Sequence, residues 1–259
     1  RGKSLAQNVD ELFFLKGARL NQEFDRLFSS IFNNPEMMMS IVKVLSTRSR
    51  GFTRKEISEQ TGYSDGGTLT EALKSLVASD FILKYIPFGY SKREIHYKLI
   101  DPFCIFYIKF VEAFKSLPDS FWQQNCSSQI VVSWRGYAFE NICFNHIEQI
   151  KNKLGISAVS SEQSAWIKKD DDERGTQIDL LISRKDNVIN LCELKFYSDV
   201  FTVDKEYDLL LRHRQKLLFE LVSKKKTIHN TLITTYGIKD NSYRWSFDNV
   251  IIMDDLFEI

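Results

Sequence analysis

Apolar residues in the first part of the chain recur at the three- and four-residue spacing of amphipathic helices. Three segments have this pattern: residues 5–16, 20–33 and 35–47. Pro35 suits the start of the third segment, because its fixed φ angle matches the first turn of a helix. We therefore predict three helices at the N-terminus.

The following segment has the order helix, turn, helix and two-stranded hairpin. Thr53 is placed to cap a short helix, with Glu56 completing a capping box and Gly62 able to end the helix. A second helix is predicted over residues 68–79, and strands with alternating apolar residues flank Gly89–Lys92. This order resembles a winged helix, in which the second helix and the hairpin tip contact DNA.

The exposed face of the second helix and the hairpin tip supply the candidate DNA-binding residues. They are Thr68, Thr70, Lys74, Tyr90, Lys92 and Arg93. Hydroxyl, ammonium and guanidinium groups bind phosphate oxygens and position a duplex without reading its sequence. The alternative is a winged helix that packs against protein, and the sequence leaves both interpretations open.

The second half of the chain changes to an alternation of strands and helices. After an aromatic helix over residues 102–116, Leu117–Ser120 is the predicted boundary between a domain of residues 1–117 and a domain of residues 118–259. The elements predicted beyond it are, in order, a helix at 131–152, strands near 156–160 and 164–168, a hairpin of strands at 177–184 and 188–197, a helix at 205–225, and strands at 231–236 and 249–253. We therefore predict an α/β protein, with an N-terminal helical and winged-helix domain and a C-terminal α/β domain.

Three charged residues interrupt the predicted hairpin: Asp179, Glu193 and Lys195. Residues two apart on a strand share a face, so Glu193 and Lys195 point together, and pairing can bring Asp179 opposite or diagonal to Glu193. Two adjacent carboxylates repel each other less with a divalent cation between them, and oxygen ligands suit Mg²⁺ or Mn²⁺. A neighbouring ammonium can orient water or stabilise charge on a phosphate. The alternative is a salt-bridged strand face.

The sequence "ID", then 13 residues, then "ELK" resembles the motif of the PD-(D/E)xK nuclease superfamily, which has the restriction-endonuclease-like fold with a mixed central sheet. The resemblance implies that Asp179 and Glu193 hold a metal ion and that Lys195 assists hydrolysis. Glu140, in "WRGYAFENICF", matches the acidic residue that often joins this site from the first core helix. A solvated helix residue is the alternative for Glu140, and Ile178 departs from the proline of the motif.

A wider similarity covers nearly the whole chain. The order winged helix, "YKLIDPFCIFYIKF", "WRGYAFENICFNHI" and "QIDLLI…LCELKF" is similar to the C-terminal region of prokaryotic AAA-type ATPases. The similarity implies a nuclease-like part of a larger ATPase, with ATP bound by an upstream domain that these residues do not include. A catalytically inactive DNA-binding or protein-docking module of that ATPase is the other function it implies.

Charge and cysteine usage refine this picture. Residues 1–115 carry 17 Lys+Arg against 13 Asp+Glu, which permits a polyanion partner without demanding one. Residues 116–259 carry 18 against 21, which suits a cation site and is explained equally well by ordinary charge scatter. The four cysteines form no CxxC pair, which indicates reduced thiols instead of zinc ligands or disulfides. There is neither a run of 18 apolar residues nor a signal-peptide pattern, so we expect a cytoplasmic protein without a membrane partner. The basic stretches at 212–216 and 224–226 favour a solvated helix face over a nucleic-acid track.

Overall fold

We describe a computed structural model of the 259-residue chain. It describes residues 2–91, 93–113, 120–168, 176–222 and 224–258. Contacts divide the chain into two compact units, one of Arg1–Lys84 and Ile95–Ala138, the other of Tyr85–Glu94 and Phe139–Ile259. Of the predicted boundary at Leu117–Ser120, residues 117–119 lie outside the described residues, and residues 120–138 belong to the first unit.

The first unit is mainly helical. Its helices are α1 (Leu5–Val9), which continues as a π-helix over Asp10–Phe14, α2 (Glu23–Ile31), α3 (Pro35–Ser46), α4 (Arg54–Thr61), α5 (Gly67–Ala78), α6 (Pro102–Phe106), which continues as a π-helix over Tyr107–Glu112, and α7 (Phe121–Asn125). Strands β1 (Phe52–Thr53), β2 (Ile82–Tyr85) and β3 (His96–Leu99) form a small sheet in the order β1-β3-β2. Helix α8 (Gln129–Asn145) begins in the first unit and ends in the second.

The capping box predicted at the start of α4 is confirmed. Thr53 Oγ1 accepts a hydrogen bond from the Glu56 backbone N–H at 3.3 Å, and Glu56 Oε2 accepts one from the Thr53 backbone N–H at 2.7 Å. Burial tends to raise the pKa of Glu56, but hydrogen bonds from Arg48 and Thr53 outweigh it and lower the pKa to about 2. Gly62 ends the helix in the left-handed conformation at φ 75°, which glycine adopts without a Cβ penalty.

Asp10, near the start of the first unit, binds the backbone of residues near the end of that unit. Its side chain is 2% exposed and accepts hydrogen bonds from the backbone N–H groups of Trp122 at 2.7 Å and Gln123 at 3.1 Å. The Gln123 side-chain amide donates a third hydrogen bond at 3.0 Å. Asp10 therefore caps the first turn of α7 from more than a hundred residues away, beside an aromatic cluster that includes Phe14, Phe106 and Trp122.

We expect Asp10→Ala to lower the free energy of unfolding by about 2 kcal/mol, because it leaves buried N–H groups without acceptors. Urea unfolding followed by tryptophan fluorescence measures this change. Glu11→Ala is the matched control, since Glu11 is an exposed neighbour paired with Lys3 and its loss should cost less than about 1 kcal/mol. Equal stabilities of the two variants would contradict the capping role.

The second unit is built on a mixed five-stranded sheet. Its strands, in spatial as well as chain order, are β4 (Ser161–Lys168), β5 (Thr176–Arg184), β6 (Val188–Lys195), β7 (Thr227–Thr234) and β8 (Asn249–Ile252). β4, β5 and β6 pair antiparallel, whereas β6, β7 and β8 pair parallel. The helices are the end of α8, α9 (Ile147–Lys153) and α10 (Lys205–Leu221), with 3₁₀ turns at Arg244–Ser246 and Met253–Phe257. The predicted α/β class with a mixed sheet is confirmed.

Two local predictions in the second unit were wrong. The strand expected near 156–160 is absent, because those residues form turns and the sheet begins with one eight-residue strand at Ser161. The single helix expected over 131–152 is two helices, because His146 leaves the helical conformation at φ −116°, ψ 32° and becomes the N-cap of α9.

Helices cover both faces of this sheet. On one face Leu180, Cys192 and Leu194 pack with the α8 residues Phe139 and Cys143. On the other face strand residues of β5 and β6 pack with residues from the end of α10; the strand members are Ile178, Leu181, Ile189 and Leu191, and the helix members are Leu217 and Leu218. Glu193, between Cys192 and Leu194, is therefore directed to the α10 face, where an uncompensated carboxylate is costly.

Candidate functional site

Asp179 and Glu193 lie on neighbouring strands at the same end of the hairpin. The antiparallel register of β5 and β6 extends to Leu180 opposite Cys192. Asp179 and Glu193 are the next residue on each strand beyond that pair. The two residues therefore lie on adjacent strands, each one position beyond the last pair of the ladder.

A β-bulge accompanies Asp179. β4 pairs Ser164 with Leu181 but Trp166 with Ile178, so Asp179 and Leu180 of β5 lie opposite the single residue Ala165 of β4. Strict alternation of faces is lost here: Ile178 and Leu181 pack on one face of the sheet, and Leu180 packs on the other. A bulge changes the direction of a side chain within a strand, and this one lies at the position of the predicted metal ligand.

Glu193 is held by three side chains of the second unit. Its carboxylate is 5% exposed, and its Oε1 accepts a hydrogen bond from Nη1 of Arg214. Its Oε2 accepts a hydrogen bond from the hydroxyl of Tyr207 at 2.9 Å and lies 3.7 Å from Nζ of Lys195. The buried charge therefore has both a cation and hydrogen-bond donors, as a stable buried carboxylate requires.

Helix α10 supplies two of these partners, Tyr207 and Arg214, which sequence reasoning did not assign to the site. They are seven residues apart, or two helical turns, and share a face with the buried residues Leu211 and Leu218. Asp204 caps the helix by accepting a hydrogen bond from the Tyr207 backbone N–H at 2.8 Å. The sequence signal that could have identified Tyr207 and Arg214 is their position, as polar residues, within the apolar stripe of a predicted helix.

The charges of both Glu193 and Asp179 act on the phenol of Tyr207. Burial raises the pKa of the Tyr207 phenol, and the charge and hydrogen bond of Glu193 raise it further. The charge of Asp179 adds to this rise, so that carboxylate lies near enough to act on the same phenol. Tyr207 therefore stays protonated and donates to Glu193, while Lys195 Nζ lies 5.6 Å from the centre of its ring.

Asp179 and Glu140 share a second neighbour on the α8 side. Burial raises the pKa of the Cys143 thiol, and the nearby Cys192, Glu140 and Asp179 raise it further. Glu140, half-buried on α8, is thus in the same electrostatic neighbourhood as Asp179. Asp179 Oδ1 also accepts a hydrogen bond from the side-chain amide of Gln177 at 2.8 Å, which orients the carboxylate.

Two buried polar atoms beside Glu193 have no hydrogen-bond partner among the described residues: Oγ1 of Thr234 and Nε of Arg214. Thr234 on β7 is in register with Lys195 on β6, so the two residues are neighbours in the sheet. Buried polar groups in folded proteins are almost always hydrogen-bonded. Both atoms are therefore available to water or to an oxygen of a bound molecule.

The donor set can be tested against the Mg²⁺ or Mn²⁺ that the sequence predicts. Within residues 2–258, apart from the gaps in the described chain, no group of three or more His, Cys, Asp and Glu side chains is arranged to hold a metal ion. Asp179 and Glu193 provide two carboxylates, and Mg²⁺ commonly takes one or two carboxylates and completes its shell with water. A carboxylate has about four lone-pair positions, so Glu193 keeps acceptor capacity beside its bonds to Tyr207 and Arg214. The type of ligand therefore suits Mg²⁺ or Mn²⁺, with waters needed for the rest of the shell.

The DNA-binding residues predicted on α5 differ in their freedom to contact a ligand. Thr68 is exposed, but Thr70 is half-buried and its hydroxyl donates to the Gly66 carbonyl at 3.1 Å. Lys74 is exposed and forms an ion pair with Glu71 at 2.8 Å. Of these three predicted residues, Thr68 therefore has the side chain least occupied by contacts within the protein.

The predicted contacts of the hairpin tip belong to the second unit. Tyr90 and Arg93 are exposed, and Lys92 lies outside the described residues. The Phe88 backbone N–H donates to the Ala165 carbonyl of β4 at 2.8 Å. The two groups of predicted DNA-binding residues, on α5 and at the hairpin tip, therefore belong to different compact units.

Comparison of the sequence with protein-family models and with curated proteins found no match. Within the described part of the chain, no helix has both the length and the apolar character needed to span a membrane. The functional interpretation therefore rests on the site itself.

Proposed function

We propose that the chain hydrolyses phosphodiester bonds of DNA in a metal-dependent reaction at the ends of β5 and β6. The observation that carries this proposal is the placement of Asp179 and Glu193 at the next position of a shared register, with Lys195 on the Glu193 face. This arrangement supports the resemblance to PD-(D/E)xK nucleases. The mixed sheet with helices on both faces supports the restriction-endonuclease-like fold that the resemblance implies.

Each residue has a role that its position supports. Asp179 and Glu193 would hold Mg²⁺ or Mn²⁺, which lowers the pKa of a bound water and stabilises charge on the phosphate. Lys195, whose ammonium is partly exposed, would donate to the attacking water or to a phosphate oxygen. Glu140 would assist from α8. Tyr207 and Arg214 hold the Glu193 carboxylate in one orientation.

The order of elements in the rest of the chain supports a DNA-binding partner for this site. The succession α3, β1, α4, α5, β2 and β3 is that of a winged helix, whose second helix and hairpin position a duplex. We propose that Thr68, Lys74, Tyr90 and Arg93 contribute such contacts. We further propose that the chain belongs to the C-terminal part of a larger AAA-type ATPase, in which ATP binds to an upstream domain.

A second function is favoured by one observation. Both oxygens of Glu193 are already engaged, one by Arg214 and one by Tyr207, so the buried carboxylate is stable without a metal. This arrangement supports a catalytically inactive DNA-binding or protein-docking module of the same ATPase. In that case the three charged residues form a structural ion-pair network.

Cleavage of supercoiled plasmid and of single-stranded DNA separates the two functions. We expect the whole chain to cut in Mg²⁺ or Mn²⁺ and to be inert in EDTA. Lys195→Met should lower the rate about 100-fold, because it removes a positioned donor to the reacting groups. Lys185→Met, an exposed lysine in the turn of the same hairpin, is the matched control and should cut normally. An inert wild type, or equal cleavage by both variants, would reject catalysis and favour the docking module.

A further inference from the structure

Positive charge is concentrated on one segment of the second unit. Residues 212–226 contain six Lys+Arg and a single Asp+Glu, although residues 116–259 as a whole carry more acids than bases. Ten of the fourteen described residues in this stretch belong to α10, and β7 begins directly after the stretch at Thr227. A concentration of one sign of charge within a region of the opposite sign favours a specific anionic ligand.

These cations border a groove between α10 and the start of β7. The groove has a volume of about 470 Å³, within the range of ligand sites in proteins. Its lining residues are Arg212, Gln215, Lys216, Phe219, Lys226, Thr227 and Ile228. Among these residues there are three cations and no carboxylate, so the groove attracts an anion along its length.

The cations of the groove keep most of their capacity to bind a ligand. Arg212 donates Nε to Asp208 at 2.8 Å, but a guanidinium has five N–H donors, and this side chain is 73% exposed. Lys226 donates to the hydroxyl of Ser183 at 3.1 Å, which is a neutral partner that leaves its charge uncompensated. Lys216 is exposed on the turn of α10 that follows Arg212.

Phe219 adds an aromatic surface to this basic groove. Its side chain is 48% exposed, although α10 buries Leu217 and Leu218 immediately before it. An exposed aromatic ring beside lysines and arginines is the combination that binds single-stranded nucleic acids, since bases stack on the ring and phosphates bind the cations. A duplex has no unpaired base to offer to the ring.

We propose that this α10 groove binds single-stranded DNA, with phosphates on Arg212, Lys216 and Lys226 and a base stacked on Phe219. The proposal goes beyond hydrolysis, because it needs neither the metal nor Asp179 and Glu193. It gives the second unit a contact with an unpaired strand that is separate from the winged-helix contacts with a duplex.

Fluorescence anisotropy of a labelled oligothymidylate tests the groove, with the whole chain in EDTA so that cleavage does not enter the result. The combined substitutions Arg212→Gln, Lys216→Gln and Lys226→Gln should weaken binding at least tenfold at low salt. They should also reduce the slope of log affinity against log salt by about 2, since each phosphate contact with a single strand contributes about 0.7. Phe219→Ala should weaken binding at least about fivefold and leave that slope unchanged.

Two exposed residues near the start of α10 serve as controls. Lys205→Gln removes a cation outside the groove, and Leu209→Ala removes an exposed apolar side chain, so both should bind like the wild type. Should the triple variant not fold, Lys216→Gln alone should still reduce the salt slope by about 0.7.

Three results would overturn the proposal: no binding by the wild type, equal weakening by Lys205→Gln, or a salt slope that the groove variants leave unchanged. Binding of poly-glutamate in place of oligothymidylate, with dependence on the same cations, would identify an acidic protein partner and also overturn it. Binding without cleavage in Mg²⁺ would support the groove and reject the hydrolysis, so the two proposals fail separately.

Discussion

Replacing Asp179 by asparagine is expected to lower metal-dependent DNA cleavage by about 10³-fold or more. The substitution keeps the size of the side chain, and the amide oxygen still accepts the hydrogen bond from Gln177. It removes one negative charge from the pair that would hold the ion, and metal stabilisation of a phosphate transition state amounts to several kcal/mol, or roughly tenfold for each 1.4 kcal/mol. Single-turnover cleavage of a labelled duplex measures the rate, and titration with Mn²⁺ measures metal affinity.

Asp186→Asn is the matched control for this experiment. Asp186 lies in the turn of the same hairpin, where it is exposed and paired with Arg184. The same chemical change there should leave both cleavage and Mn²⁺ affinity at the wild-type values. If Asp179→Asn cleaves as fast as Asp186→Asn, Asp179 is not a metal ligand, and the site is an ion-pair network.

The hairpin that carries the site was predictable because its information is local. The alternation of apolar residues and the polar turn predicted two strands, and the structure has them at Thr176–Arg184 and Val188–Lys195. The capping box at Thr53 and the helix starting at Pro35 were predictable for the same reason. In each case the residues that determine the structure lie within a few positions of one another.

The partners of Glu193 were not predictable, because they are chosen through space. Tyr207 and Arg214 follow Glu193 by 14 and 21 residues and reach it only when α10 packs on the sheet. The pattern of α10 predicted an amphipathic helix, and in such a pattern a polar residue within the apolar stripe marks a buried contact without naming its partner. The Asp10 cap of α7, across 112 residues, is the same kind of contact.

The hairpin tip between β2 and β3 shows a further limit of local patterns. Its sequence predicted a wing with exposed Tyr90 and Arg93, but the backbone of Phe88 bonds to β4. Whether a hairpin joins a second sheet depends on an unpaired strand edge elsewhere in the chain. The strand with that edge, β4, begins more than 70 residues after Phe88 in the sequence.

Replacing Arg214 by methionine is expected to lower the free energy of unfolding by about 3–5 kcal/mol, the usual cost of removing one partner from a buried ion pair. Glu193 is 5% exposed and would keep Tyr207 as a donor, but its principal counter-charge would be lost. Adding Glu193→Gln to Arg214→Met should restore most of the stability, because the buried charge is then removed with its partner. Urea unfolding of the four proteins in this double-mutant cycle measures the coupling.

Arg212→Met is the matched control, because Arg212 is 73% exposed on the same helix and its buried partner Asp208 would keep a hydrogen bond from the Ser246 hydroxyl at 2.6 Å. Its loss should cost less than about 1 kcal/mol. A loss of stability in Arg214→Met no larger than this would show that the contact with Glu193 is not a buried ion pair. A large loss that Glu193→Gln does not restore would assign the effect of Arg214 to packing instead of charge.

The same variant can distinguish the two functions proposed for the site. If Glu193 holds Mg²⁺, the ion should replace part of the charge lost in Arg214→Met, and its binding to the folded state should stabilise that state by mass action. Adding Mg²⁺ should then raise the midpoint of unfolding of Arg214→Met, and this increase should disappear in Asp179→Asn, Arg214→Met. In a structural ion-pair network Mg²⁺ has no such site, because the cation that Glu193 requires there is the guanidinium of Arg214. The unfolding midpoint of Arg214→Met should then stay constant when Mg²⁺ is added.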